Sequence, residues 1–205
     1  MKPATRSYDG KALVILEAAQ KRFAQYGVEK TTMREIAGDL NMTKGSLYYY
    51  FPDKEALYTA VIELEHSEFL RLLEDALIKI SDPAEGLRIY VIKRLGYFRK
   101  LINLSRLRAE AYTEYKPLIA GSMKKLREDE VSLVKAIMDK GVSDKIFDIK
   151  DTKDTAILFL DFLRGLRSTL VSNKSLMVID DDEFEVMTDR IMKAAVIFIN
   201  GIRKR

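Results

Sequence analysis

The sequence contains no cysteine and only one histidine among its 205 residues. Without cysteine there is no disulfide, no thiolate nucleophile, no cysteine-ligated zinc and no thiol redox sensor. The lone histidine, His66, leaves neither a Ser/His/Asp set nor a multi-histidine metal site available, and a surface or helix-packing role accounts for it. No apolar run approaches the roughly 18 residues that mark a transmembrane helix. No glycine-rich phosphate loop is present. The first residues, Met-Lys-Pro-Ala-Thr-Arg-Ser-Tyr, lack the apolar stretch of a signal peptide. A cytoplasmic protein without cofactor, bound metal or membrane partner is expected, with residues 1–8 as a flexible basic arm. Strand-like alternation, internal repeats and low-complexity segments are also missing, which points to an all-α fold.

What remains is ample material for a core: 47% of residues are hydrophobic. The net charge of +4 is too small to argue for nucleic acid by itself. A local motif makes that argument instead. Thr32 is followed three residues later by Glu35, a capping box ahead of the apolar pair Ile36 and Leu40. Asn41 then falls at a turn that calls for positive φ, and Thr43 caps a second short helix. Projected at about 100° per residue, that second helix gathers Leu47 and Phe51 on one side and Gly45, Ser46, Tyr48 and Tyr49 on the other, with Lys44 and Tyr50 flanking. Two helical turns cannot bury three consecutive tyrosines in a small domain, so an outward face rich in phenols is expected. Each member suits DNA. The helix N-terminus and Gly45 admit a phosphate, Ser46 can read a base edge, Tyr48 and Tyr49 can meet phosphate oxygens or a thymine methyl, and Lys44 and Lys54 add charge.

Upstream, Ala12, Ile15, Leu16, Ala19, Phe23 and Tyr26 form one apolar helical stripe, stopped by Gly27. Together with Ala37, the run Thr-Lys-Gly-Ser-Leu-Tyr-Tyr-Tyr-Phe from Thr43 and the Asp-Lys-Glu-Ala-Leu that follows, this segment resembles the DNA-binding domain of the TetR (tetracycline-repressor-like) family. The specific resemblance covers residues 9 to about 64. Asn41 departs from it, since many relatives carry glycine there; asparagine also tolerates that conformation. The resemblance implies a three-helix helix-turn-helix domain over residues 9–52, with Thr32, Thr43, Lys44, Gly45, Ser46, Tyr48, Tyr49, Tyr50 and Lys54 at the DNA. It also implies a helical effector-binding and dimerisation domain over 53–205, giving about nine helices in all.

Asp53 caps a long fourth helix whose apolar series, from Ala56 and Leu57 to Leu77 and Ile80, is expected to end at Ser81-Asp82-Pro83. In the resembled family this element transmits the signal. Further helices are expected over about 83–103, 105–115, 117–140, 152–173 and 181–203, punctuated by Pro83, Pro117, Gly141 and the polar stretch near Asn173. The last two are apolar on nearly every side around Ile157–Leu163 and Val196–Ile199, more than a monomer would bury. Phe162, Leu166, Val196 and Phe198 are therefore candidates for a homodimer interface. Such a dimer would present its recognition helices to half-sites roughly 34–36 Å apart on a palindromic double-stranded operator. The body has candidate effector-pocket residues in Tyr90, Tyr97, Phe98, Tyr112, Tyr115, Met123 and Phe159, with Arg94 and Arg106 as polar anchors, although aromatic residues at helical spacing are also ordinary core. The acidic run Asp180-Asp181-Asp182-Glu183 reads as a helix start complementing its dipole. The expected function is a repressor released from its operator by a small-molecule effector. A constitutive or partner-controlled regulator stays open, and a helical enzyme lacks a catalytic constellation.

Overall fold

The computed structural model describes residues 8–100, 109–171 and 181–204, leaving aside the side chains of residues 98, 100, 109–114, 116, 170, 171 and 181. Among the described residues there are eight helices: α1 (Gly10–Tyr26), α2 (Met33–Asp39), α3 (Lys44–Tyr50), α4 (Lys54–Leu77), α5 (Pro83–Lys100), α6 (Ala109–Ser143), α7 (Thr152–Val171) and α8 (Asp181–Gly201). The only strand-like feature among them is an isolated bridge between Phe147 and Arg203.

The chain divides into two compact units, Met1–Glu68 with Leu101–Lys125, and Phe69–Lys100 with Leu126–Arg205. The first unit thus continues beyond the expected helix-turn-helix boundary at residue 52. Its core gathers Ile15, Leu16, Ala19 and Phe23 of α1, Ile36 and Ala37 of α2, Leu47 of α3, and Leu57, Tyr58 and Val61 of α4, joined by Tyr115 and Ile119 of α6. Tyr8, expected in the flexible arm, packs against this core with its ring 6.3 Å from that of Phe51. An aromatic ring beside an apolar surface has more to gain from burial than from solvation. Residues 1–7 of that arm lie outside the described residues.

Helix ends in this unit are set by local chemistry. The Asp9 carboxylate accepts from the Ala12 N–H at 2.7 Å to start α1. Gly27 stops it at φ +83°, donating its N–H to the Phe23 carbonyl at 2.9 Å. Asp53 starts α4 by accepting from the Ala56 N–H at 2.6 Å.

The second unit packs α8 against α5 and α7 around Leu87, Tyr90, Val134, Met138, Phe159, Ile191, Ala195 and Ile199. Three sequence expectations about helix ends need correction. Helix α4 stops at Leu77 rather than near Ser81, where the chain tightens as the Ile80 N–H donates to the Leu77 carbonyl at 3.0 Å. The expected break at Pro117 is absent, and α6 runs uninterrupted through it for 35 residues. Pro117 is exposed, while Tyr115 and Ile119 on either side are held in the core, and that packing outweighs the local cost of proline. Gly141 does not end α6 either. It sits inside the helix so that Phe147 can close over it; a Cβ there would lie 2.0 Å from the Phe147 ring. The loop after α6 is then tied to the end of α8 by the Asp148 N–H to Ile202 carbonyl and Lys204 N–H to Ile146 carbonyl bonds, each 2.9 Å. The expected helix over 105–115 falls partly on residues 101–108, outside the described residues.

Candidate nucleic-acid interface

The capping box forms as read: the Thr32 hydroxyl accepts from the Glu35 N–H at 3.3 Å, and the Glu35 carboxylate accepts from the Thr32 N–H at 2.8 Å. The Thr32 hydroxyl also donates to the Glu35 carboxylate at 2.8 Å, and this bond first, then the one from the Thr32 N–H, holds the Glu35 carboxyl below the usual carboxylate range. A feature the sequence reading missed braces the same helix from α1. The Arg22 guanidinium forms a two-pronged pair with Asp39, and the hydrogen bonding holds the Asp39 carboxyl low. The signal was an Arg and an Asp 17 positions apart on different helices, which no local pattern links.

The turn from α2 to α3 closes on Ala37, whose carbonyl accepts from the Met42 N–H at 2.9 Å, with Asn41 left-handed at φ +51°. Asparagine fits because its short polar side chain tolerates that region. Thr43 then caps α3, accepting from the Ser46 N–H at 3.1 Å, and its hydroxyl donates to the Ser46 hydroxyl at 3.0 Å.

The anchoring side of α3 is Leu47, with no exposure, and Phe51 beyond it, with 5%. Opposite lie the exposed Lys44, Gly45, Ser46, Tyr48 and Tyr49, the last with 85% of its surface free. Lys44 holds its ammonium 5.3 Å from the Tyr48 ring centroid, so charge and phenol are presented together. Tyr50 turns back to pack on the core, its ring edge-on to Tyr49 at 5.3 Å. Lys54 donates to the Val28 carbonyl at 3.0 Å, which gives it an anchoring task within the unit in addition to any phosphate contact.

Gly45 is informative. An added Cβ there would meet nothing within 4 Å, so the protein's own packing does not call for glycine. Glycine inside a helix costs about 1 kcal/mol relative to alanine. Gly45 thus leaves open space beside the first turn of α3.

The remaining candidates separate. Tyr90 and Phe159 are fully buried in the second unit's core. Tyr97 stacks on Phe69 at 4.2 Å, and Arg94 pairs with Glu130, a residue the sequence reading did not single out. Tyr115 and Met123 belong to the first unit instead, where the Tyr115 ring lies 5.5 Å from Tyr58. Phe98, Arg106 and Tyr112 lie outside the described side chains. On α7 and α8, Phe162 is 37% exposed, while Leu166, Val196 and Phe198 are half-buried. Among the described residues no helix is long and apolar enough to cross a membrane.

Comparison with known proteins agrees with this geometry. Residues 15–61 match the family described as bacterial regulatory proteins, tetR family. A transcriptional regulator from Cytophaga hutchinsonii of known crystal structure is 37% identical and superposes with a TM-score of 0.85, covering 96% of this chain and 100% of its own. The HTH-type transcriptional regulator RutR of Escherichia coli strain K12 is 30% identical over 141 residues, 67% of this chain, and this chain spans 66% of its length. The probable acrEF/envCD operon repressor of the same strain is 34% identical over 89 residues, 42% of this chain and 40% of its own. The matched segment runs from α1 into α4 and so contains the whole capped turn and α3: the chain belongs to the tetR family of bacterial transcriptional regulators.

Proposed function

We propose that the chain is a homodimeric repressor that holds a palindromic operator through two copies of α3 and releases it when a small molecule occupies the second unit. The observation that carries the DNA-binding half is the outward face Lys44-Gly45-Ser46-Tyr48-Tyr49 on a helix whose other side is locked into the core. Ser46 and Tyr48 are assigned to base edges, and Lys44 and Tyr49 to the backbone. Support for the dimer comes from α7 and α8, where Leu158 is 57% and Ile197 73% exposed, apolar surface that a second copy would cover. An effector that distinguishes the bound and free arrangements by about 1–3 kcal/mol would change operator affinity roughly 5- to 150-fold. A regulator without an effector is the second reading, favoured by the complete burial of Tyr90 and Phe159 as packed core.

Binding to duplexes from the region upstream of its own coding sequence, followed by fluorescence anisotropy across a salt series, tests the reading. Wild type should bind with a steep salt dependence, Lys44→Ala should bind more weakly with a shallower slope, and Ser46→Ala should bind with relaxed base preference. Light scattering showing a monomer at micromolar concentration would remove the paired-half-site geometry.

A further inference from the structure

Three arginines from three helices of the second unit stand within one another's fields, with two carboxylates paired among them. Arg94 of α5 donates from Nε to Glu130 of α6 at 2.6 Å and from its terminal nitrogen to the other carboxylate oxygen at 3.2 Å, while the Tyr90 hydroxyl donates to Glu130 at 2.6 Å. Arg127, one turn before Glu130, makes a similar fork to Asp161 of α7, at 2.8 and 2.9 Å. One turn beyond Asp161 stands Arg164, half-buried and within the fields of both other arginines. Both carboxylates are already taken, and among the described residues none pairs with Arg164.

We propose that Arg164, backed by Arg94 and Arg127, is an anion-binding site that takes the carboxylate or phosphate group of a small molecule. This rests on the reading of the second unit as an effector-binding body and narrows the effector to an acid. Burial, then the positive charges of Arg127 and Arg94, lower the affinity of the Arg164 guanidinium for its proton, and the attraction of Glu130 and Asp161 offsets this only in part. An anion that joined Arg164 directly would complete that compensation. A guanidinium fork matches a carboxylate or phosphate edge-on, and partial burial strengthens that bond relative to water. Tyr90 and Glu130 keep Arg94 oriented, so the site is assembled before the ligand arrives. A ligand balancing the third charge would link α5, α6 and α7.

The test uses full-length protein at constant ionic strength, with inorganic phosphate, octanoate and the uncharged octanamide as probes. Thermal melts should show octanoate or phosphate raising Tm by several degrees and octanamide leaving it unchanged. R164Q should bind the effective anion at least about tenfold more weakly, and R164K, which keeps the charge but loses the fork, should fall between. Without anion, R164Q should melt no lower than wild type, because it removes a repelled cation. Equal responses to octanoate and octanamide, no response to either anion, an undiminished response in R164Q, or an R164Q that unfolds would each overturn the site. Operator release measured beside the melts separates the two levels. Arg164-dependent anion binding that leaves DNA bound keeps the site and rejects the effector reading. Release by octanamide alone does the reverse.

Discussion

The two units solve the problem of polar groups in opposite ways. In the first, polar side chains mostly act within a turn or two of where they stand: Asp9, Thr32, Thr43 and Asp53 each satisfy a backbone donor three residues ahead. In the second, the decisive polar contacts join distant parts of the chain, Glu130 lying 36 positions from Arg94 and 40 from Tyr90. The helices of the first unit are started by their own caps, whereas the second unit is held by polar contacts that cross between its helices.

This contrast can be broken most forcefully at Glu130. Its side chain is 2% exposed and that of Arg94 15%, so Glu130→Ala should leave a buried cation and the Tyr90 hydroxyl without their acceptor. We expect a loss of about 3–5 kcal/mol in urea unfolding. Thr43→Ala removes one exposed cap and should cost only about 1 kcal/mol. Equal costs for the two would erase the distinction between local and long-range anchoring.

Gly45→Ala sharpens the comparison from the other side. It should raise stability by about 0.5–1 kcal/mol, because the helix gains propensity and the new methyl meets nothing. At the same time it should weaken operator binding in anisotropy titrations. A stabilised variant that binds as before would remove the close-approach reading of this position.

The smallest effect is expected in acid. Glu35 and Asp39 in the first unit, and Asp139 and Asp161 in the second, are all held below their ordinary range by hydrogen bonds, from Thr32, Arg22, Lys135 and Arg127 first in each case. A lowered folded-state value means that the stabilisation is complete above the unfolded value, about 4, and fades as pH drops through the folded one. Melting temperature should therefore decline only below about pH 4, and Asp39→Asn should flatten part of that decline. These carboxylates are exposed, so solvent screening keeps the effect modest. A Tm that falls between pH 7 and 5 would point to other groups.

How much of this was legible in the sequence follows the same division. The capping box at Thr32, the left-handed Asn41, the cap at Thr43 and the burial of Leu47 and Phe51 were all readable, because each depends on residues a few positions apart. The partnership of Arg94 with Glu130 and the placement of Tyr115 in the first unit's core were not, since periodicity reports which face is apolar but not which helix will cover it. Pro117 misled for a related reason: a strong local breaker was overruled by packing on both sides of it.

Phe147 lying on Gly141 has a genetic corollary. Even alanine would drive a methyl to within 2.0 Å of the ring, so no substitution is sterically neutral there. A screen for alleles that fail to silence a reporter should return codon 141 repeatedly, although it encodes no part of the proposed DNA-facing side of α3. Such alleles should be recognisable by low protein abundance, unlike equally defective alleles at Tyr49, whose product should accumulate normally.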